Sequence, residues 1–105
     1  MYRPLPEYLT IKKSEIEGLG LFTNEVIVDN TELGMTHVYR DLPHREKREL
    51  IRTPLGGFIN HSDEPNCELI LLVGEKHLKT IRDIQAGEEL TLKYKLYNVS
   101  EHIRR

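Results

Sequence analysis

Three short segments of this 105-residue chain hold the side chains best suited to chemistry. The first is Gly18-Leu19-Gly20, two glycines around a single residue. Such a pair lets the backbone approach a ligand closely and turn its amide N–H groups toward an anionic end. It is not a dinucleotide fingerprint, because a third glycine is missing and no helix follows. The same residues also suit an ordinary β-turn. The second segment is Gly56-Gly57-Phe58-Ile59-Asn60-His61-Ser62-Asp63-Glu64-Pro65-Asn66-Cys67. Asn60 and His61 together offer the donors and acceptors that could read a purine edge; equally, Asn60 and Ser62 could cap local turns beside a packed His61. A hydrolytic Ser62–His61 pair is disfavoured, since neighbouring residues point apart and no nucleophile elbow surrounds the serine. The third segment is Gly87-Glu88-Glu89-Leu90-Thr91-Leu92-Lys93-Tyr94. Its alternation puts Tyr94 on the face of Leu90 and Leu92, where a buried phenol must find a partner for its hydroxyl. A purely structural tyrosine gives the same pattern.

Composition narrows the chemistry. Lys+Arg of 15 against Asp+Glu of 17 leaves a net charge of -2 with no long single-sign block, so direct nucleic-acid binding is not expected. The histidines at 37, 44, 61, 77 and 102 lack tight metal-ligand spacing, and the one cysteine, Cys67, can build neither an intrachain disulfide nor a thiolate zinc site. No metal is expected. The first six residues lack the apolar region of a signal peptide, and the longest apolar run, residues 69–73, is far too short to span a bilayer. The chain therefore reads as intracellular without a membrane partner, and as cytoplasmic if its source is bacterial.

The elements that must position these residues are mostly strands. A single domain over residues 1–105 is expected, because two cores would each be marginal, and a homodimer would be a natural way to bury more surface. Pro4 and Pro6 lead toward a strand near residues 8–12, a second follows the paired glycines, and a third covers residues 33–40. Residues 44–51 predict one short helix, started by Asp41 or the Pro43 turn, with Arg45, Glu46, Lys47, Arg48 and Glu49 as its solvated face. Thr53-Pro54-Leu55-Gly56-Gly57 should break that helix. Residues 67–73 read as a strand buried on both faces, and Gly74-Glu75 turns it into a partner near 76–82. The last strand, 89–94, alternates Leu90, Leu92 and Tyr94 against Thr91 and Lys93. An internal echo accompanies these elements: Ile27-x-x-Asn30-x-Glu32-Leu33 returns 57 residues later as Ile84-x-x-Gly87-x-Glu89-Leu90. Both predict a left-handed turn entering a strand, two similar turns without shared ancestry or function. The whole is mainly β.

In order and spacing, Gly18-Leu19-Gly20-Leu21-Phe22, then Phe58-Ile59-Asn60-His61-Ser62 with Pro65-Asn66-Cys67, then Gly87-Glu88-Glu89-Leu90 ending at Tyr94 resemble the successive motifs of SET-domain protein lysine methyltransferases. The resemblance covers roughly residues 8–97 and is similar in economy to small viral and bacterial SET proteins. It implies a β-clip fold whose C-terminal segment passes beneath a preceding loop as a pseudoknot. It implies S-adenosylmethionine as cofactor, its methionine end held by the backbone of Gly18, Leu19 and Gly20 and its adenine end received by Asn60 and His61. It makes Tyr94 the catalytic tyrosine and a lysine of a histone-like or other basic protein the substrate. Phe58, Leu90 and Leu92 would then be apolar walls or plain core. Three departures stand out. Lys93 replaces the usual Asp before the tyrosine, Asp63 replaces a zinc-binding Cys, and the stretch between Arg40 and Thr53 is very short for a substrate-reading insert. Lys93 and that short stretch support the alternative, a SET-like module that binds a peptide or protein without catalysis.

Overall fold

The computed structural model describes residues 5–42, 47–72 and 74–93 and folds them into two four-stranded sheets. The strands are β1 (Leu9–Lys13), β2 (Leu19–Thr23), β3 (Glu32–Leu42), β4 (Lys47–Arg52), β5 (Asn60–His61), β6 (Cys67–Leu72), β7 (Glu75–Thr80) and β8 (Glu89–Leu92), with one short helix, α1 (Pro54–Gly57). One sheet runs β1-β2-β8-β5 and the other β4-β3-β7-β6. All pairings are antiparallel except β5 with β8, which is parallel. The mainly β architecture follows as expected. The C-terminal segment of the expected pseudoknot lies outside the described residues.

Two local expectations are corrected. The charged run expected as a helix over 44–51 is strand from Lys47 onward, and its first residues lie outside the described ones. Pairing overrides local propensity here. Against the 11-residue β3, Val38 faces Ile51, Tyr39 faces Leu50, and Arg40 faces Glu49, with which it forms an ion pair. The helix forms instead at the expected breaker, because a proline that stops one helix can start another at its first position. Thr53 has extended dihedrals (φ -88, ψ 169) and caps α1 by accepting from the Gly56 N–H.

The second correction exchanges two strands. β6, expected to be buried on both faces, is a sheet edge on which Leu71 is 71% and Leu72 45% exposed. β8 is the strand buried on both faces, since Leu90, Thr91 and Leu92 are all buried. The polar Thr91 conceals this in the sequence. Leu90 and Leu92 join Leu21, Ile27, Leu33, Leu55, Ile59, Leu78 and Ile84 in one core, each such side chain contributing about 1.5–3 kcal/mol by leaving water.

The internal echo folds into a local two-fold arrangement. Ile27 and Ile84 face each other in an antiparallel bridge, each N–H donating to the other's carbonyl (2.8 and 2.7 Å). Gly87 N–H donates to Thr23 O at 2.7 Å, and its counterpart Asn30 N–H donates to Thr80 O at 3.1 Å. Thr23 N–H reaches Glu88 O at 3.1 Å, as Thr80 N–H reaches Thr31 O at 2.9 Å. Asn30 (φ 63) and Gly87 (φ 92) both adopt the expected left-handed turn, which launches β3 and β8 in equivalent positions. Placed this way, β8 brings the third motif alongside the first.

Candidate functional site

The turn before β2 is built on Gly18, whose φ of +47 lies in the left-handed region. Ser14 closes it: its N–H donates to Gly18 O at 2.8 Å, and its hydroxyl oxygen accepts from the N–H groups of Ile16 (2.9 Å) and Glu17 (3.4 Å). The turn faces outward, for a Cβ on Gly18 would meet nothing within 4 Å and Leu19 is exposed. β5 then brings the second motif to the same place by running parallel to β8, with Asn60 opposite Thr91 and His61 opposite Leu92. The Asn60 Nδ2 amide donates to Glu17 O (3.1 Å), Leu19 O (3.3 Å) and Glu89 Oε2 (2.8 Å). Three acceptors around one end of the amide identify that end as nitrogen. Its donors are thereby spent within the protein, leaving the carbonyl end of Asn60 as the group that can accept from a ligand.

Gly20 also makes room for a side chain. A Cβ there would lie 2.2 Å from Glu89 Oε2 and 2.8 Å from its Cδ, so the space is filled by a carboxylate of the protein itself. The Ser14 hydroxyl, donating, lies 2.7 Å from Glu89 Oε1. Residues 14, 16–19, 60 and 89 thus form one hydrogen-bonded cluster that joins all three motifs, with Gly20 making room for the carboxylate. Sequence reasoning gave Glu89 no role of its own, although it stood inside the third motif, and nothing in the sequence pointed to Ser14.

His61 is half-buried, and its Nε2 lies 3.2 Å from Asp63 Oδ1. Asn66, 3% exposed, explains the Pro-Asn-Cys segment: its side-chain amide hydrogen-bonds β8 as a neighbouring strand would. Its Nδ2 donates to Glu89 O and its Oδ1 accepts from Thr91 N–H, both at 2.8 Å. Burial pushes the next residue's thiol, Cys67, up to about 12, against the pull of the Arg82 charge and the Thr91 backbone. It is therefore a core group and no nucleophile at neutral pH. Glu88 is turned away from the cluster toward Arg82, whose guanidinium, with the Gln85 N–H, holds its carboxyl below the usual range. Leu90 and Leu92 are core. Lys93 is exposed, and Tyr94 lies outside the described residues.

Comparison with known proteins gives this geometry a context. A profile for the SET domain matches residues 7–95. Over 41 residues the chain is 42% identical to histone-lysine N-methyltransferase SMYD3 of Mus musculus, and equally to that of Homo sapiens. That segment is 39% of this chain and spans only 10% of the length of those curated relatives. Among solved structures, a provisionally assigned Plasmodium falciparum histone methyltransferase superposes with a TM-score of 0.68 at 22% identity, over 88% of this chain and 96% of that one. The methyltransferase domain of human PR domain-containing protein 2 superposes with a TM-score of 0.69 at 17% identity, over 87% of this chain and 79% of that one. At such identities these likenesses establish the fold alone.

Proposed function

The chain belongs to the SET domain family, and from that premise we propose that it is an S-adenosylmethionine-dependent protein lysine N-methyltransferase. The observation that carries this reading is the convergence of the Gly18 turn, Asn60 and Glu89 on one outward-facing cluster. The groups present suit the cofactor. Open space lies beside Gly18, and the Glu89 carboxylate and the Asn60 carbonyl end give the place a negative and accepting character. That character suits a ligand with a cationic sulfur and an amino-acid end. The backbone of Gly18, Leu19 and Gly20 would hold the methionine end, and Asn60 and His61 the adenine and adjoining part. The bound cofactor would supply a methyl group already activated by its sulfonium.

With the donor activated, the protein must align more than it must exchange protons. A free lysine is protonated at neutral pH, with a pKa of about 10.4, and only the neutral amine can attack. Apolar surroundings and a nearby positive charge both disfavour its charged form. Tyr94, by its place in the third motif, would orient that amine through its hydroxyl for in-line displacement. The substrate class that follows is a lysine on a protein or peptide, a basic segment among the candidates.

The test combines cofactor binding by calorimetry with transfer of labelled methyl groups to proteins from the chain's own source. Tyr94→Phe should bind cofactor like the wild type and transfer methyl groups poorly or with altered multiplicity, whereas Asn60→Ala should bind cofactor more weakly. Full activity in Tyr94→Phe removes the tyrosine from the reaction. Absence of cofactor binding by the wild type overturns the enzyme reading in favour of a non-catalytic binding module.

A further inference from the structure

The two-fold arrangement of the echo contains one asymmetry, and it lies at the candidate site. Glu89 and Glu32 occupy equivalent positions, two residues beyond the left-handed turns at Gly87 and Asn30. Each reaches toward the strand paired with its own. Glu32 meets the imidazole of His77, which is the residue equivalent to Gly20. In the other half Gly20 has no side chain, and the Glu89 carboxylate occupies the vacated space, where a Cβ would stand 2.2 Å away. From there it accepts from the Ser14 hydroxyl at 2.7 Å and the Asn60 amide at 2.8 Å.

These bonds close a ring. The N–H of Ile16 donates to Ser14 Oγ, Ser14 Oγ–H donates to Glu89, and Asn60 Nδ2 donates both to Glu89 and back to the carbonyls of Glu17 and Leu19. Two donors converge on Glu89: the Ser14 hydroxyl lies 2.7 Å from Oε1 and 3.0 Å from Oε2, and the Asn60 amide meets Oε2. Hydrogen bonds to an ionised acceptor are also the stronger kind.

We infer that Glu89, braced by Ser14, is a positioning residue: it holds Asn60 and the turn at residues 16–20 in the arrangement that receives the cofactor. This rests on the function proposed above, but the clamp can be read without any ligand. Glu89→Gln retains the shape but removes the charge and puts an N–H₂ in place of one of the two oxygens. Either the Asn60 bond or the shorter, 2.7 Å Ser14 bond is then lost, and the other no longer ends on an ionised acceptor. Gly20→Ala evicts the carboxylate by steric contact and leaves its charge in the molecule. Both variants should speed backbone amide exchange at residues 16–20 about tenfold, the size of one lost hydrogen bond to a charged group. Glu89→Gln, which leaves the backbone of residues 18–20 unsubstituted, should weaken S-adenosylmethionine binding about tenfold and raise its KM similarly, with kcat at saturating cofactor changed less than about twofold. Gly20→Ala, inside that backbone, is read by exchange alone.

Exchange across 16–20 that matches the wild type in both variants overturns the clamp. Faster exchange with unchanged cofactor affinity overturns the positioning role. If Glu89→Gln fails to fold, Ser14→Ala decides by the same two readouts and Gly20→Ala by exchange. A wild type that binds no cofactor overturns the proposed function, and with it the positioning role, whatever the exchange shows of the clamp.

Discussion

Removing the side-chain amide of Asn66 should destabilise the fold by an amount the structure makes calculable. That amide is buried and makes two 2.8 Å hydrogen bonds to β8, donating to Glu89 O and accepting from Thr91 N–H. Asn66→Ala leaves both backbone groups without their partner. Each unsatisfied buried group costs about 1–3 kcal/mol, and Glu89 O, less buried than Thr91 N–H, falls toward the lower end. The expected loss is about 2–4 kcal/mol, a large share of the 5–15 kcal/mol typical of whole domains. In a domain of this size it should lower the melting temperature by roughly 10–25 °C. Equilibrium unfolding in urea, compared with a melting curve, measures it. Asn66→Leu, branched at the same atom, larger and without hydrogen-bonding capacity, fills the space without polar satisfaction and should lose at least a similar amount. If Leu restores stability while Ala does not, the residue fills space and does not clasp the strand. If both variants lie within about 0.5 kcal/mol of the wild type, the surface-substitution range, the reasoning is refuted outright.

Two further outcomes concern titratable groups. The Glu75 carboxylate at Nε2, aided by Glu32 at Nδ1, pushes the His77 pKa up despite burial. Its contribution is therefore complete below about pH 6.5, the unfolded value, and is lost as pH rises through the higher folded value. Because both carboxylates are nearly half exposed and solvent screens them, the loss should be about 0.5–1 kcal/mol, read as the difference in melting-temperature profiles between wild type and His77→Gln; parallel profiles would contradict it. Cys67, buried and with its thiol pushed up to about 12, should resist alkylation by iodoacetamide in the native protein and react once urea unfolds it. Rapid native modification seen by mass spectrometry would show that the core around it opens.

Much of this was legible in the sequence because it depends on backbone requirements that few residues satisfy. A left-handed turn needs Gly or Asn, so Asn30 and Gly87 announced two equivalent turns, and Gly18 a third. The strands around them followed from apolar patterning, and the order of the three motifs pointed to the family that the profile match establishes. Where residues pair across the sheet, local patterning misled. Residues 47–52 have the composition of a solvated helix face but are strand because β3 offers them matched partners. β6 and β8 exchanged roles because whether an apolar run is central or at an edge depends on how many neighbours it has, which no window of sequence contains.

The candidate site divides in the same way. Residue types drew attention to Gly18, Leu19, Gly20, Asn60 and His61, each with backbone access or a hydrogen-bonding edge, and the order of the three motifs gave them cofactor roles by resemblance. Only the tertiary structure decided that Gly20 is empty for the sake of Glu89, that Ser14 belongs to the cluster 75 residues before its partner, and that Asn66 acts as a strand toward β8. The reason is physical: a turn is paid for by the dihedrals of its own residues, whereas a hydrogen-bonded ring exists only once distant strands have been packed side by side.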